Sequence, residues 1–152
     1  MLTNEQRQHI VDVAKCWIGT PYRGWSCVKG AGVDCGQLLK GVFEEAGHCN
    51  DGITLPENYS LQVFQHRKDT TYIDYVNKYM REITEAEALP GDVVVYRLGL
   101  AFAHAAIVVA WPEHIIHAVE FQGVISGHGK NFKFGRLEKR FFTLRDEYVG
   151  GE

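Results

Sequence analysis

Hydrophobic positions recur at helical spacing in the first half of the chain and take on a strand texture in the second. Ile10, Val13, Ala14, Trp17 and Ile18 share one helical face. Thr3, followed three residues later by Gln6, forms a capping box ahead of them, and Gly19 stops the helix with Pro21 two residues beyond. Leu38, Leu39, Val42, Phe43 and Ala46 make a second stripe, which predicts a helix that starts at Cys35 and ends at a Gly47 cap. Residues 19–34 hold Gly19, Gly24, Gly30 and Gly32 and read as an irregular loop. Residues 48–58 read as a polar connection, and Tyr72, Tyr75, Val76 and Tyr79 predict helix within 59–83. After the turn signal Leu89-Pro90-Gly91-Asp92, segments 93–98, 104–111, 115–122 and 137–144 are rich in β-branched and aromatic residues and read as strands. Helices first and strands later predict an α+β fold, with N-terminal helices packed on an antiparallel sheet. No repeat or linker divides the chain, so one domain is expected over residues 1–152.

Composition narrows the function. The 152 residues are 45% hydrophobic and 23% charged, which excludes disorder and coiled coil. A net charge of −3 with no basic stripe excludes a nucleic-acid partner. The apolar run 101–111 is interrupted by His104 and is far short of the roughly 20 residues a membrane span needs, so no membrane insertion is expected. The first residues do not read as a secretory signal peptide. The expectation is synthesis in the cytoplasm, with delivery by another agent if the protein acts outside the cell. Cys16, Cys27, Cys35 and Cys49 contain no Cys-x-x-Cys pair, so a structural zinc site has no support and reduced thiols are expected, most of them buried.

Cys35 is the residue that suggests chemistry. Asp34 is a good N-cap, which puts the thiol in the first turn of the second helix. There the helix dipole and unpaired backbone N–H groups favour thiolate, and such positions lower a cysteine pKa into the range of roughly 3.5–7.5. The Cys35 N–H can also point at a developing oxyanion. The plainer alternative is a small residue packed at a helix start. A nucleophilic thiol needs a base, usually histidine, oriented by a third group. His104 and His117 fall in predicted strands among apolar residues, joined through Trp111-Pro112-Glu113-His114. A tight two-residue loop puts both on one face but not directly opposite, whereas a longer turn or a bulge brings them together. Each histidine alone reads first as a satisfied core residue, and it is the pair on one hairpin, with a helix-start cysteine upstream, that shifts the balance toward function. His9 is expected to be solvated, and His48, His66 and His128 to lie on the surface or in loops. His114-x-x-His117 puts its two rings on opposite strand faces and lacks the metalloprotease glutamate, so no metal site is expected. Gly123-Val-Ile-Ser126-Gly127 misses the serine-hydrolase spacing by one residue. Tyr22 and Trp25, in the Gly-rich loop, are placed to line a cleft.

Five short segments, in order, resemble a known family. They are Trp17-Ile18-Gly19-Thr20-Pro21-Tyr22-Arg23, Gly32-Val33-Asp34-Cys35, Pro90-Gly91-Asp92-Val93-Val94, His104-Ala105-Ala106-Ile107-Val108-Val109 and Ile116-His117-Ala118. Together they resemble the NlpC-type cell-wall cysteine peptidases, which have a papain-like fold, over residues 10–125. Ser26-Cys27-Val28-Lys29-Gly30, inserted ahead of the Asp-Cys element, looks most like the phage-tail and prophage branch, whose members are carried to the wall by the virion. The resemblance implies Cys35 as nucleophile, His104 as general base and His117 as the group orienting it. It also implies Tyr22, Asp34 and Trp25 around the substrate, with no metal or cofactor. The implied substrate is a peptidoglycan stem peptide, commonly cut between γ-D-glutamate and diaminopimelate, and other phage tail proteins are implied as partners. Many members read Asp-Cys-Ser-Gly where this chain reads Asp34-Cys35-Gly36-Gln37. Two alternatives stand beside the peptidase: a tail assembly or structural protein that keeps the fold, and a thiol amidase or acyltransferase.

Overall fold

The computed structural model describes residues 1–57 and 69–151. Helix α1 (Asn4–Trp17) opens on the expected box: Thr3 Oγ1 accepts from the Gln6 N–H at 3.1 Å and Gln6 Oε1 accepts from the Thr3 N–H at 2.9 Å. Gly19 follows the helix at φ +95°. Within the stretch expected to be irregular, β1 (Cys27–Val28) and β2 (Gly32–Val33) form a short antiparallel hairpin. Helix α2 (Cys35–Glu45) follows directly and buries Leu38, Leu39, Val42 and Phe43.

The next helix is shorter than its pattern suggested. Helix α3 (Thr71–Tyr79) buries Tyr72, Ile73, Tyr75, Val76 and Tyr79, but Met80–Ile83 is strand β3. Met-Arg-Glu-Ile has little strand signal of its own; its pairing with β8 (Lys139–Leu144) decides its conformation. The part of the helix expectation covering 59–68 lies outside the described residues.

Strands β4 (Val93–Leu98), β5 (Ala101–Ala110), β6 (His114–Val119) and β7 (Gly123–Gly127) complete a six-stranded sheet in the order β3-β8-β4-β5-β6-β7, every pairing antiparallel. The strand expected to reach residue 122 ends at Val119. The chain turns there, with Phe121 at φ +70°, and returns as β7, whose two terminal glycines and Ser126 hide its strand character. The single turn α4 (Lys133–Arg136) precedes β8.

Alternate residues face opposite sides of the sheet. Val93, Val95, Ala105, Ile107, Ile116 and Ala118 pack with α1, α2 and α3 in the larger core. Val94, Tyr96, Ala106, Val108, Ile115 and Phe141 form a smaller core on the other side, under Trp111, Phe134 and Leu137. Full burial of such a side chain contributes about 1.5–3 kcal/mol. This is an α+β architecture of helices on an antiparallel sheet. Among the described residues no helix is long and apolar enough to cross a membrane.

Candidate active site

Cys35 is the first residue of α2, and Asp34 caps that helix from a fully buried position. Asp34 Oδ1 accepts from the Gly36 and Gln37 N–H groups at 3.0 and 2.8 Å, and Oδ2 accepts from the Trp25 N–H at 2.7 Å. One carboxylate thus fixes both the start of the helix and the loop leading to it. Behind the same turn, the Tyr72 hydroxyl donates to the Cys35 carbonyl at 3.3 Å, and the Tyr75 hydroxyl to the Gly36 carbonyl at 3.0 Å. Tyr72 is also hydrogen-bonded to the Cys35 side chain.

Tyr22 reaches Cys35 from the loop. The 21–23 segment runs parallel to β2, with the Val33 N–H donating to the Pro21 carbonyl at 3.0 Å and the Arg23 N–H to the Val33 carbonyl at 3.0 Å. Its other flank is tied to β7, where the Val124 N–H donates to the Thr20 carbonyl at 2.9 Å. Gly123 permits this approach, because a Cβ there would stand 2.5 Å from the Thr20 oxygen. The Tyr22 hydroxyl is hydrogen-bonded to the Cys35 backbone. Burial, with the nearby Cys35, Asp34 and Glu120, pushes its ionisation well above the ordinary tyrosine range, so it stays a neutral hydroxyl.

Two bulges place the histidines. Tyr96 pairs with His104 and Arg97 with Phe102, which leaves Ala103 as an extra residue in β5. The Ala103 carbonyl lies 3.5 Å from Cys35 Sγ. At the other end of β5, Ala110 pairs with His114 but Val108 with Ile115, leaving Val109 as a second bulge. The β5–β6 loop has three residues, 111–113. Loop and bulge each move the register by one. Carried on from Ile107↔Ile116, that register sets His117 across from Ala106, diagonal to His104 and on its face. His104 Nε2 and His117 Nδ1 are 2.8 Å apart. The pairing that the sequence left open is settled by both devices together.

The histidine pair is enclosed. His104 is 8% exposed and His117 3%. The Phe134 ring stacks on His104 at 5.6 Å and 24° and meets His117 edge-on at 5.4 Å. Gly127 leaves room on the far side, where a Cβ would come within 3.2 Å of His117 Nε2. Burial holds both imidazoles below the ordinary histidine range. His117 adds to the effect on His104, and the Lys133 charge adds to it on both. At neutral pH both rings are therefore uncharged, and one donates to the other.

Tyr22, Cys35, Ala103, His104, Glu120, Lys133 and Phe134 are among the residues around one cleft of about 150 Å³. It lies where the helix-side core, which contains Cys35, meets the opposite core, against which Phe134 packs. His117 stands behind His104. The other two expected substrate residues sit elsewhere. Asp34 is fully buried with its oxygens engaged by backbone N–H groups, and Trp25, 58% exposed, lines a neighbouring groove with Gln37, Lys40 and Leu55.

Some readings need correction. His48 lies in the loop after α2, as expected, but is buried rather than on the surface, and its Nδ1 accepts from the Gly150 N–H at 2.9 Å. His9 and His128 are exposed as expected, and His66 lies outside the described residues. Cys16 is exposed and Cys27 half-buried; only Cys35 and Cys49 are buried, and no disulfide joins the four. Tyr72, Tyr75, Lys133 and Phe134 went unrecognised as site residues. The tyrosine spacing was visible, but only as a helix stripe, and Lys133 and Phe134 fall on a turn without a motif. Among the described residues no three His, Cys, Asp or Glu side chains converge into a group able to hold a metal.

Comparison with known proteins agrees with this geometry. The NlpC/P60 family model matches residues 19–140, and the chain belongs to that family. Among solved structures, it is similar to a lipoprotein-like protein of the NLP/P60 family from Staphylococcus aureus, at 22% identity and a TM-score of 0.66, over 95% of this chain and 43% of that one. It thus spans less than half the length of that protein. The NlpC/p60 domain of the peptidoglycan hydrolase SagA matches at 19% identity and a TM-score of 0.59, over 88% of this chain and 96% of that one. RipD from Mycobacterium tuberculosis, described as a non-catalytic NlpC/p60 domain protein adapted to peptidoglycan binding, matches at 13% identity and a TM-score of 0.56, over 95% of this chain and 99% of that one. No curated protein matches the sequence significantly.

Proposed function

We propose that the protein is a cysteine peptidase that hydrolyses amide bonds in peptidoglycan stem peptides, between γ-D-glutamate and diaminopimelate. The observation that carries this reading is the cleft shared by Cys35 and His104, with His117 2.8 Å behind His104. In the reaction His104 takes the Cys35 thiol proton on Nδ1 while its Nε2–H donates to His117 Nδ1, and His117 carries its own proton on Nε2. The sulfur adds to the scissile carbonyl. Collapse of the tetrahedral species breaks the C–N bond, and His104 gives its proton to the departing amine. Water, deprotonated by His104, then cleaves the thioester and restores the thiol. His117 disperses the charge that appears on His104, the role a carboxylate or amide plays in other triads. Tyr22 borders the reacting carbon from the α2 side.

Family membership and the SagA likeness support the substrate class. RipD is the reason to test catalysis directly, since the same fold there is described as non-catalytic. We extend the proposal to delivery by a phage tail, supported by the Ser26–Gly30 insertion that here builds the β1–β2 hairpin.

The test is a digest of purified peptidoglycan and of synthetic stem peptides, read by mass spectrometry, with Cys35→Ala alongside. New fragments absent from the variant are expected, with a loss of at least about a thousandfold in rate, roughly 4 kcal/mol of transition-state stabilisation. Identical fragment patterns from both proteins would sink the peptidase, and retained wall binding without cleavage would move the reading to a binding role.

A further inference from the structure

Among the described residues lining the cleft, Lys133 is the one side chain whose charge works against the chemistry proposed there. It lies on α4, beside Tyr22, Cys35 and His104, and its Nζ stands 5.6 Å over the Phe134 ring that stacks on His104. Among the described residues it has no carboxylate partner: Glu120 lines the same cleft, yet the two form no ion pair. Glu120 instead adds to the charge that disfavours ionisation of Tyr22. The cleft is therefore lined by a cation without a carboxylate partner among the described residues and by one acid.

We propose that Lys133 is a specificity residue that binds a carboxylate on the acyl side of the scissile bond. This rests on the reading of the site as a stem-peptide hydrolase and names the feature of the substrate that the site selects. A glutamate linked through its γ-carboxyl keeps its α-carboxylate free, a few bonds from the carbonyl that Cys35 attacks. An exposed ammonium group over a ring face, without a carboxylate partner among the described residues, matches that anion. Its amidated counterpart, a γ-linked isoglutamine, offers no charge. When the carboxylate arrives, it also neutralises the cation that otherwise disfavours charge on His104, so the correct substrate relieves the opposition to its own proton transfer.

Two measurements test this, one of which needs no peptide cleavage. The first compares kcat/KM for a stem tripeptide with γ-D-glutamate and for its α-carboxamide analogue. Wild type should favour the carboxylate by about tenfold to a hundredfold, the worth of a hydrogen bond to a charged group. In Lys133→Met the ratio should collapse toward one, and in Lys133→Arg it should persist. The second compares alkylation of Cys35 by iodoacetate and by iodoacetamide, an anion and its neutral amide. Wild type should show a higher iodoacetate-to-iodoacetamide rate ratio than Lys133→Met, with the difference shrinking at high salt. If neither peptide is cut but the alkylation ratio depends on Lys133, the anion site stands and the peptidase reading fails. If both peptides are cut with a ratio that Lys133→Met leaves unchanged, or if the variant's alkylation ratio equals that of wild type, the inference is overturned.

Discussion

Two buried polar clusters sit in this molecule, and they solve the same problem in opposite ways. Near the start of β4, Arg7 and Asp92 are 8% and 1% exposed and form an ion pair at 2.8 Å. Asp92 also accepts from the Thr143 hydroxyl at 2.6 Å and the Leu89 N–H at 2.9 Å, and Arg7 donates to the Pro90 carbonyl at 3.1 Å. On the cleft side, His104 and His117 are as deeply buried but uncharged, with one hydrogen bond between them. The first cluster keeps its charges and surrounds them with partners. The second gives up its charge, and its His104 shares a cleft with the Cys35 thiol. Size does not separate the two, for the hollow beside Arg7 and Asp92 is about 340 Å³ and exceeds the cleft. What marks the cleft is a pair of uncharged imidazoles in contact beside a thiol at a helix start. The Arg7–Asp92 pair ties α1 to the Pro90-Gly91-Asp92 turn ahead of the sheet, a structural task.

The largest effect expected from this contrast is on stability. Asp92→Ala strips the partner from a buried guanidinium and should cost about 3–5 kcal/mol in urea unfolding, while the fraction that remains folded keeps its activity. A loss of activity in folded Asp92→Ala would make the two clusters one functional unit. His117→Ala should do the reverse, lowering kcat about a hundredfold or more, roughly 2.7 kcal/mol, through the misoriented His104. If kcat is untouched, His117 is a core residue and no more.

Acid should also separate the clusters. Burial holds both histidines below their ordinary range, so the unfolded chain takes up protons near pH 6.5 where the folded chain does not. The unfolded state then binds more protons, and stability must fall as pH drops below about 6.5 toward the depressed folded values. Urea midpoints at pH 7.5 and 5.5 should show this fall in the wild type and a smaller one in His117→Gln. Equal falls would place the acid sensitivity elsewhere. The smallest effect belongs to Tyr72→Phe, which removes a donor from the first turn of α2 and should cost about 0.5–1.5 kcal/mol. Its alkylation rate at Cys35 tells whether that hydroxyl also positions the thiol.

Much of the site was legible in the sequence because its parts are local. A capping Asp34 beside Cys35, a Gly-rich approach and two strand histidines each follow from short-range chemistry. The supports were not legible. Tyr72 and Tyr75 act across 37 and 39 residues, and a periodic stripe does not say which carbonyl a hydroxyl will meet. Trp25, adjacent in sequence to the cleft loop, points to a different groove, because the bond from its N–H to Asp34 fixes its backbone at φ +66°.

The sequence by itself determined α1 and α2 with their caps, the buried stripe of α3, most strands of the sheet and the thiol at a helix start, since these rest on periodicity and on neighbours within four residues. Tertiary structure decided whether β3 and β7 were strands, because each takes its conformation from a partner strand. It also decided whether two histidines would touch. Side chains on a strand alternate with period two, so one extra residue in a loop or strand moves a side chain to another neighbour. A three-residue turn and the Val109 bulge supply two such steps, and the sum brings His117 to His104.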